Sequence, residues 1–316
     1  MSEVDVDTVR EAHARIRERI VWTPVMTSAR LDELCGARLF FKCENFQETG
    51  SFTARGAMNA VLSLSGAEAS RGVATHSSGN HAAALSWAAG LRGIPAFVVM
   101  PSTASRIKVA AVERFGGRIV FCEPTHQARE EAADRVVRET GAVLIHPYNH
   151  PRIIAGQGTA ALEFLGERPD LDLMICPVGG GGLLAGTSIV AKALRPGIRV
   201  LGAEPEGAAD TKLSFESAAR QPVDHPSSIA DGLLAYVGDM TFPVIRRLVD
   251  GISTVSEKDI AAAVRSFLEV MKIVVEPSGA VGYAAIAAKT AEVEGLRVGI
   301  ILSGGNLDLE RTPWLK

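Results

Sequence analysis

Short apolar runs alternate with longer amphipathic ones along most of this chain. The runs "ARLFFKCE", "GVATHS", "PAFVVMP", "RIVFCE", "AVLIHP", "LMICPVG", "RVLGAEP" and "VGIILSGG" have the length and apolar density of strands. Between them, stretches such as "SRIKVAAVERFG" and "EEAADRVVRETG" repeat apolar residues at helical spacing. Strands separated by helices predict crossover connections and mainly parallel sheets flanked by helices, an α/β fold. Near the N-terminus, Thr8 with Glu11 predicts a capping box at the start of a helix.

One segment invites another reading. Leu173 to Ala191 carries no charge and is long enough to suggest a membrane span. It also contains Pro177 and the consecutive glycines Gly179, Gly180, Gly181 and Gly182, which would leave backbone groups unpaired in lipid. The segment is predicted to be a strand, a turn and a helix, with no membrane partner.

Composition narrows the class. A chain of 316 residues exceeds one small core and predicts two lobes. The units from about Gly72 to Asn149 read as one lobe and those from Pro151 onward as another. With 47% hydrophobic and 22% charged residues the composition is that of a globular α/β enzyme. A net charge of −3 without a basic stripe argues against a nucleic-acid partner. Cys35, Cys43, Cys122 and Cys176 lack CxxC or Cys/His spacing and read as reduced, packed thiols of a cytoplasmic protein. The first residues are acidic, without an apolar signal core.

Three loops carry candidate chemistry. In "LMICPVGGGGLLAG" the glycines follow a strand and open a helix, an anion cradle suited to a phosphate. A tight turn for close packing is the plainer reading. Gly180-x-Gly182-x-x-Ala185, with Glu204 ending the next strand, also fits the relaxed dinucleotide fingerprint, and alone would suggest an NAD-dependent oxidoreductase. In "THSSGNHAAAL", Ser77, Ser78, Gly79 and Asn80 grip a carboxylate at a helix terminus, or a Ser or Asn among them simply caps the helix. In "LGAEPEGAAD", Glu204, the Ala208 carbonyl and Asp210 either take a hard divalent cation or are solvated surface acids. His76, His81, His126, His146 and His150 show no metal-ligand spacing, and no serine-hydrolase elbow is present.

Taken together, "KCENFQETGSFTARGAMNAV", "HSSGNHAAAL", "IAGQGT", "PVGGGGLLAG", "GAEPEGAAD", "VEPSGAVG" and "LSGGNLDL" resemble the serine/threonine dehydratase and serine racemase group, which includes 3-hydroxyaspartate dehydratase-like members. These are pyridoxal 5'-phosphate (PLP) enzymes of fold type II, related to the tryptophan synthase β chain. The resemblance implies a large PLP-binding domain from residues 1–71 and 150–316, a small domain over 72–149, and a homodimer. It places Phe52 and Asn80 beside the cofactor ring and its phenolic oxygen, Gly179 to Gly182 on its phosphate, and Ser303 at the pyridine nitrogen. Ser77, Ser78, Gly79 and Asn80 would grip the substrate carboxylate, with Arg129 in reach of the substrate. Arg129 and His150 are the candidates for a second carboxylate. Glu204, Ala208 and Asp210 would hold Mg²⁺, Ca²⁺ or Mn²⁺.

The implied activity is removal of water from a β-hydroxy amino acid (serine, threonine or 3-hydroxyaspartate), giving a 2-oxo acid and ammonia. Reprotonation by Ser78 from the other face would give racemisation. No isoleucine-responsive regulatory domain of the kind found in biosynthetic threonine dehydratases is expected.

The sequence departs from the family at one position. Its motif has a lysine where this chain has Thr53. That amine attaches the cofactor and moves the Cα proton, and threonine can do neither. The departure predicts a chain that is inactive or holds its substrate trapped, whether introduced or natural. A PLP- or amino-acid-binding protein without catalysis is the alternative. Lys42 is the nearest lysine by sequence, on a strand position unsuited to replace it.

Overall fold

The computed structural model describes residues 4–77 and 79–312. Among these residues, ten strands form two sheets. Strands β1 (Val25–Met26), β2 (Arg38–Cys43), β7 (Leu173–Pro177), β8 (Arg199–Pro205), β9 (Gly251–Val255) and β10 (Arg297–Leu302) make a six-stranded sheet in the order β1-β2-β10-β7-β8-β9. Only the β1–β2 pair is antiparallel. Strands β3 (Val73–His76), β4 (Ala96–Pro101), β5 (Arg118–Cys122) and β6 (Val143–Leu144) form a parallel sheet in the order β5-β4-β3-β6. The mainly parallel α/β architecture is as expected. β1 and β9 were not legible in the sequence, the first for its length and the second because "GISTV" mixes polar and apolar residues at a sheet edge.

The six-stranded sheet is buried on both faces. One face packs Leu39, Phe41, Ile175, Ile300 and Phe267 into a core, and the other packs Phe40, Met174, Cys176, Ile301 and Phe164. This explains why β7 and β10 read as unbroken apolar runs rather than alternating ones. Val73, Ala96 and Ile145 join a third core against the helices Thr53–Leu62 and Asn80–Arg92.

Glycines set how closely the site-bearing helices approach. Helix Pro151–Glu167 carries the "IAGQGT" stretch. A Cβ on Gly156 would lie 2.6 Å from the Gly56 Cα, and one on Gly186 would lie 2.6 Å from the Gly158 nitrogen. The central helix therefore touches helix Thr53–Leu62 at one glycine pair and helix Gly182–Leu194 at another. The two helices that begin at Thr53 and at the glycine loop are thus held by one backbone.

One local expectation differs in detail and another holds. The N-terminal helix Val6–Ile16 is capped by Asp5, whose carboxylate accepts from the Thr8 N–H at 2.8 Å while Thr8 Oγ1 accepts from the Asp5 N–H at 3.0 Å. A capping box is present, but one turn earlier: Thr8 is its third helical residue rather than the cap, because Asp5 is the stronger acceptor available. Leu173 to Ala191 is indeed strand, turn and helix, and no helix among the described residues is long and apolar enough to cross a membrane.

Candidate active site

In a parallel sheet the loops after the C-terminal strand ends share one edge, where ligands usually bind. Here β10 lies between β2 and β7, with Leu302 opposite Cys43 and Ile300 opposite Ile175. Ser303, the glycine loop after β7 and the segment leading from β2 to Thr53 therefore emerge side by side. The Phe52 N–H donates to the Ser303 carbonyl at 2.9 Å, and Ser51 bridges to Gly304. Ser303 is almost fully buried and Phe52 partly so.

Helix Gly182–Leu194 opens at Gly181, whose φ of +90° lies in the left-handed region that favours glycine. Its first turn leaves backbone N–H groups without intrahelical acceptors, as an anion site requires. A residue missed in the sequence completes this loop. The Tyr148 ring lies against Gly180, where an added Cβ would come within 2.2 Å of it. His146 stacks edge-on to Tyr148 at 4.6 Å, and His76 to His146 at 5.1 Å.

The loop after β3 carries Ser77, Gly79 and Asn80, and Asn80 is linked through Glu276 to Gly304, next to Ser303. Ser78 lies outside the described residues. The reading of Asn80 as a helix cap is corrected: the cap position is Gly79, which has no side chain to bond the turn, and Asn80 is the first helical residue. A Cβ on Gly79 would meet nothing within 4 Å, so the loop borders open space. Asn80 Nδ2 instead donates to Glu276 Oε1 at 2.6 Å, and Asn80 Oδ1 accepts from Asn306 at 2.9 Å. Glu276 opens helix Pro277–Ala287 and is buried. Burial pushes its carboxyl up to about 7, with Asp231 adding to the shift and Lys108 opposing it. Lys108 and Asp231 form an ion pair beside it.

Thr53 begins helix Thr53–Leu62 and is buried, with its Oγ1 2.6 Å from Ser51 Oγ. Two residues on, Arg55 lies in a closed ionic network. Its guanidinium donates to Glu44 at 2.7 Å through both Nε and Nη2 and to Glu163 at 2.7 and 2.8 Å. Lys42 Nζ donates to Glu163 at 2.8 Å and to the Thr23 carbonyl at 2.7 Å. Burial alone would raise the Glu44 carboxyl, but Arg55 outweighs it and holds Glu44 below the usual carboxylate range. Lys42 is thus fully engaged away from the cleft.

The remaining expected residues are less central. Arg129 sits in the first turn of helix His126–Thr140, its Nε directed to the Thr125 carbonyl at 3.4 Å. His150 caps helix Pro151–Glu167, its Nδ1 accepting from the Arg152 N–H at 3.2 Å, which commits the ring locally. Glu204, Ala208 and Asp210 are buried, so the reading as solvated surface acids is corrected. Glu204 turns to helix Asp210–Ser217, accepting from the Thr211 and Lys212 N–H groups at 3.3 and 2.7 Å. That orientation removes the ribose-binding acid on which the dinucleotide reading relied. Burial, helped by the neighbouring Asp210, pushes the Glu204 carboxyl up to about 8, and burial pushes Asp210 up to about 6. Two buried carboxylates raised in this way, with a carbonyl-bearing turn between them, are a donor set that a hard cation would relieve. No cluster of three or more His, Cys, Asp or Glu suited to a metal occurs among the described residues. The four cysteines are free thiols.

A glycine loop, a buried serine and a polar loop follow strands of two mainly parallel sheets, the arrangement of an α/β enzyme in which such loops could hold a small phosphorylated ligand. The chain belongs to the pyridoxal-phosphate dependent enzyme family, whose model matches residues 16–304. It is 49% identical over 303 residues to beta-hydroxyaspartate dehydratase of Paracoccus denitrificans, covering 96% of each chain. It is 48% identical over 310 residues to serine racemase of Arabidopsis thaliana, covering 96% of this chain and 94% of that one. The structure of maize serine racemase superposes with a TM-score of 0.96 at 46% identity, over 98% of this chain and 95% of that one. The family match takes precedence over the oxidoreductase reading.

Proposed function

We propose that this chain is a PLP-binding member of the dehydratase and racemase group in which Thr53 blocks the covalent attachment step. The substrate class is a β-hydroxy amino acid: serine, threonine or 3-hydroxyaspartate. What supports the reading is that the segment to Thr53, Ser303 and the Gly179–Gly182 loop follow the adjoining strands β2, β10 and β7, with Asn80 linked to Gly304 through Glu276. Bound there, PLP would withdraw electrons from the substrate Cα and ease loss of its proton.

The chain's own residues fit that cofactor except at one position. The glycine loop and the first turn of helix Gly182–Leu194 would hold the phosphate, with Tyr148 closing over Gly180. The buried Ser303 hydroxyl would meet the pyridine nitrogen without protonating it as a carboxylic acid would, favouring prompt loss of the β-hydroxyl. Ser77, Ser78, Gly79 and Asn80 would receive the substrate carboxylate, with Ser78 as the proton donor on the second face and Arg129 at the rim. The Thr53 hydroxyl, tied to Ser51, supplies neither an amine nor a base. Loss of a positioned general base costs on the order of 10²–10⁴-fold in rate.

The same reading assigns residues 1–71 with 150–316 to the cofactor-binding domain and 72–149 to the smaller one. It places Mg²⁺, Ca²⁺ or Mn²⁺ on Glu204, Asp210 and the Ala208 carbonyl, and takes the protein to be a cytoplasmic homodimer. A second reading, binding without turnover, is favoured by Thr53 itself. One experiment separates them. The unaltered chain should bind PLP yet yield no covalent adduct with borohydride. Thr53→Lys should give a yellow, borohydride-fixed protein that releases ammonia from a β-hydroxy amino acid. A Thr53→Lys variant that binds PLP but releases no ammonia favours the binding protein, and one that does neither overturns the assignment.

A further inference from the structure

Around Asn80 the hydrogen bonds leave the amide little choice of orientation. The Thr49 carbonyl can only accept, so the Asn306 amide that bonds it at 2.9 Å must present Nδ2. That same Nδ2 reaches Asn80 at 2.9 Å, which fixes the Asn80 atom facing it as Oδ1. Asn80 Nδ2 is then left for Glu276, 2.6 Å away. Two glycines make room for the chain of contacts. A Cβ on Gly50, at a φ of +71°, would lie 2.3 Å from Asn306 Oδ1, and one on Gly304 would lie 2.0 Å from Glu276 Oε1. The Glu276 N–H also donates to the Gly304 carbonyl at 3.0 Å, next to Ser303.

We propose that Glu276 is a positioning residue for the cofactor ring: by accepting one Asn80 N–H, it aims the second N–H of that amide at the ring's phenolic oxygen. The inference rests on the PLP reading above. An Asn80 amide rotated by half a turn would present its oxygen instead, and two oxygens facing each other repel. Anchored by Glu276 on one side and Asn306 on the other, Asn80 keeps its donor toward the cleft before the cofactor arrives, which is the condition for a strong ligand contact.

The test uses the chain as it is, with PLP as the probe. Affinity is read by fluorescence quenching and ring orientation by the circular dichroism induced in the cofactor band. Glu276→Ala should weaken PLP binding on the order of 10-fold, the cost of leaving a buried donor unmatched, and should alter the induced signal. Glu276→Gln, whose side-chain oxygen still accepts from Asn80, should restore both to near the unaltered values. Should Glu276→Ala fail to fold, Asn306→Ala releases the other anchor and should change the induced signal in the same sense. Unchanged affinity and induced dichroism in whichever of these folds would overturn the inference, as would failure of Glu276→Gln to restore them. Absence of PLP binding by the unaltered chain would instead overturn the cofactor reading beneath it.

Discussion

Arg55 offers the most demanding test of how the site is held. Its fully buried guanidinium makes four bonds of 2.7–2.8 Å to Glu44 and Glu163 and a fifth, of 3.2 Å, to Thr159. Lys42 balances one of the two carboxylates, at 2.8 Å from Glu163. In Arg55→Met, Glu163 keeps Lys42 while Glu44 keeps only the hydroxyl of Thr23 at 2.6 Å. An ionised carboxylate stripped of its partner in the core costs about 3–5 kcal/mol. At about 2 °C per kcal/mol for a chain of this size, thermal melting should fall by roughly 6–10 °C. Adding Glu44→Gln removes the uncompensated charge, so the double variant should melt well above the single one. The assay is a melt followed by far-ultraviolet circular dichroism. Arg55→Met melting within about 2 °C of the unaltered chain would refute the argument, as would a double variant that loses the sum of the two single effects. Because Arg55 lies two residues beyond Thr53, the single variant should also bind PLP less tightly.

Other outcomes follow from the same structure. Glu204 and Asp210 hold protons in the folded state at pH values where the unfolded chain has released them. Their contribution should therefore make stability fall as pH rises from about 4 to about 8 in chelator, and millimolar Mg²⁺ or Ca²⁺ should flatten that fall. Identical melting profiles with and without the ion would remove the cation site. Gly180→Ala drives a methyl group into the Tyr148 ring, 2.2 Å away, and should cost about 1–3 kcal/mol together with PLP affinity. Pairing it with Tyr148→Ala should return part of the stability, and no recovery would argue against that contact.

Much of this was readable from the chain itself. The eight apolar runs correspond to eight of the ten strands described, and β2, β7 and β10 stand out because residues buried on both faces of a parallel sheet leave continuous hydrophobic stretches. The glycine loop was legible because only glycine suits Gly181, at a φ of +90°. What escaped were contacts joining distant segments. Glu276 lies 196 positions from Asn80, and nothing local in "VEPSGAVG" says which side chain it meets. Tyr148 and Gly180 likewise have no shared spacing. Arg55 and Glu163 read as ordinary charges until folding encloses them together. Asp5 and Thr8 cap each other at the helix start, while Thr8 with Glu11 offers a competing capping-box pattern three residues further on.

The lodging of Lys42 between Glu163 and the Thr23 carbonyl has a chemical corollary. An amine attacks an aldehyde only through its lone pair, and a buried ammonium gripped by a carboxylate has none to offer. To serve as a nucleophile, Lys42 would have to desert Glu163 and the Thr23 carbonyl and cross packed protein. Repair of covalent cofactor capture from that lysine is closed, which leaves the side chain at position 53 as the natural place to restore it.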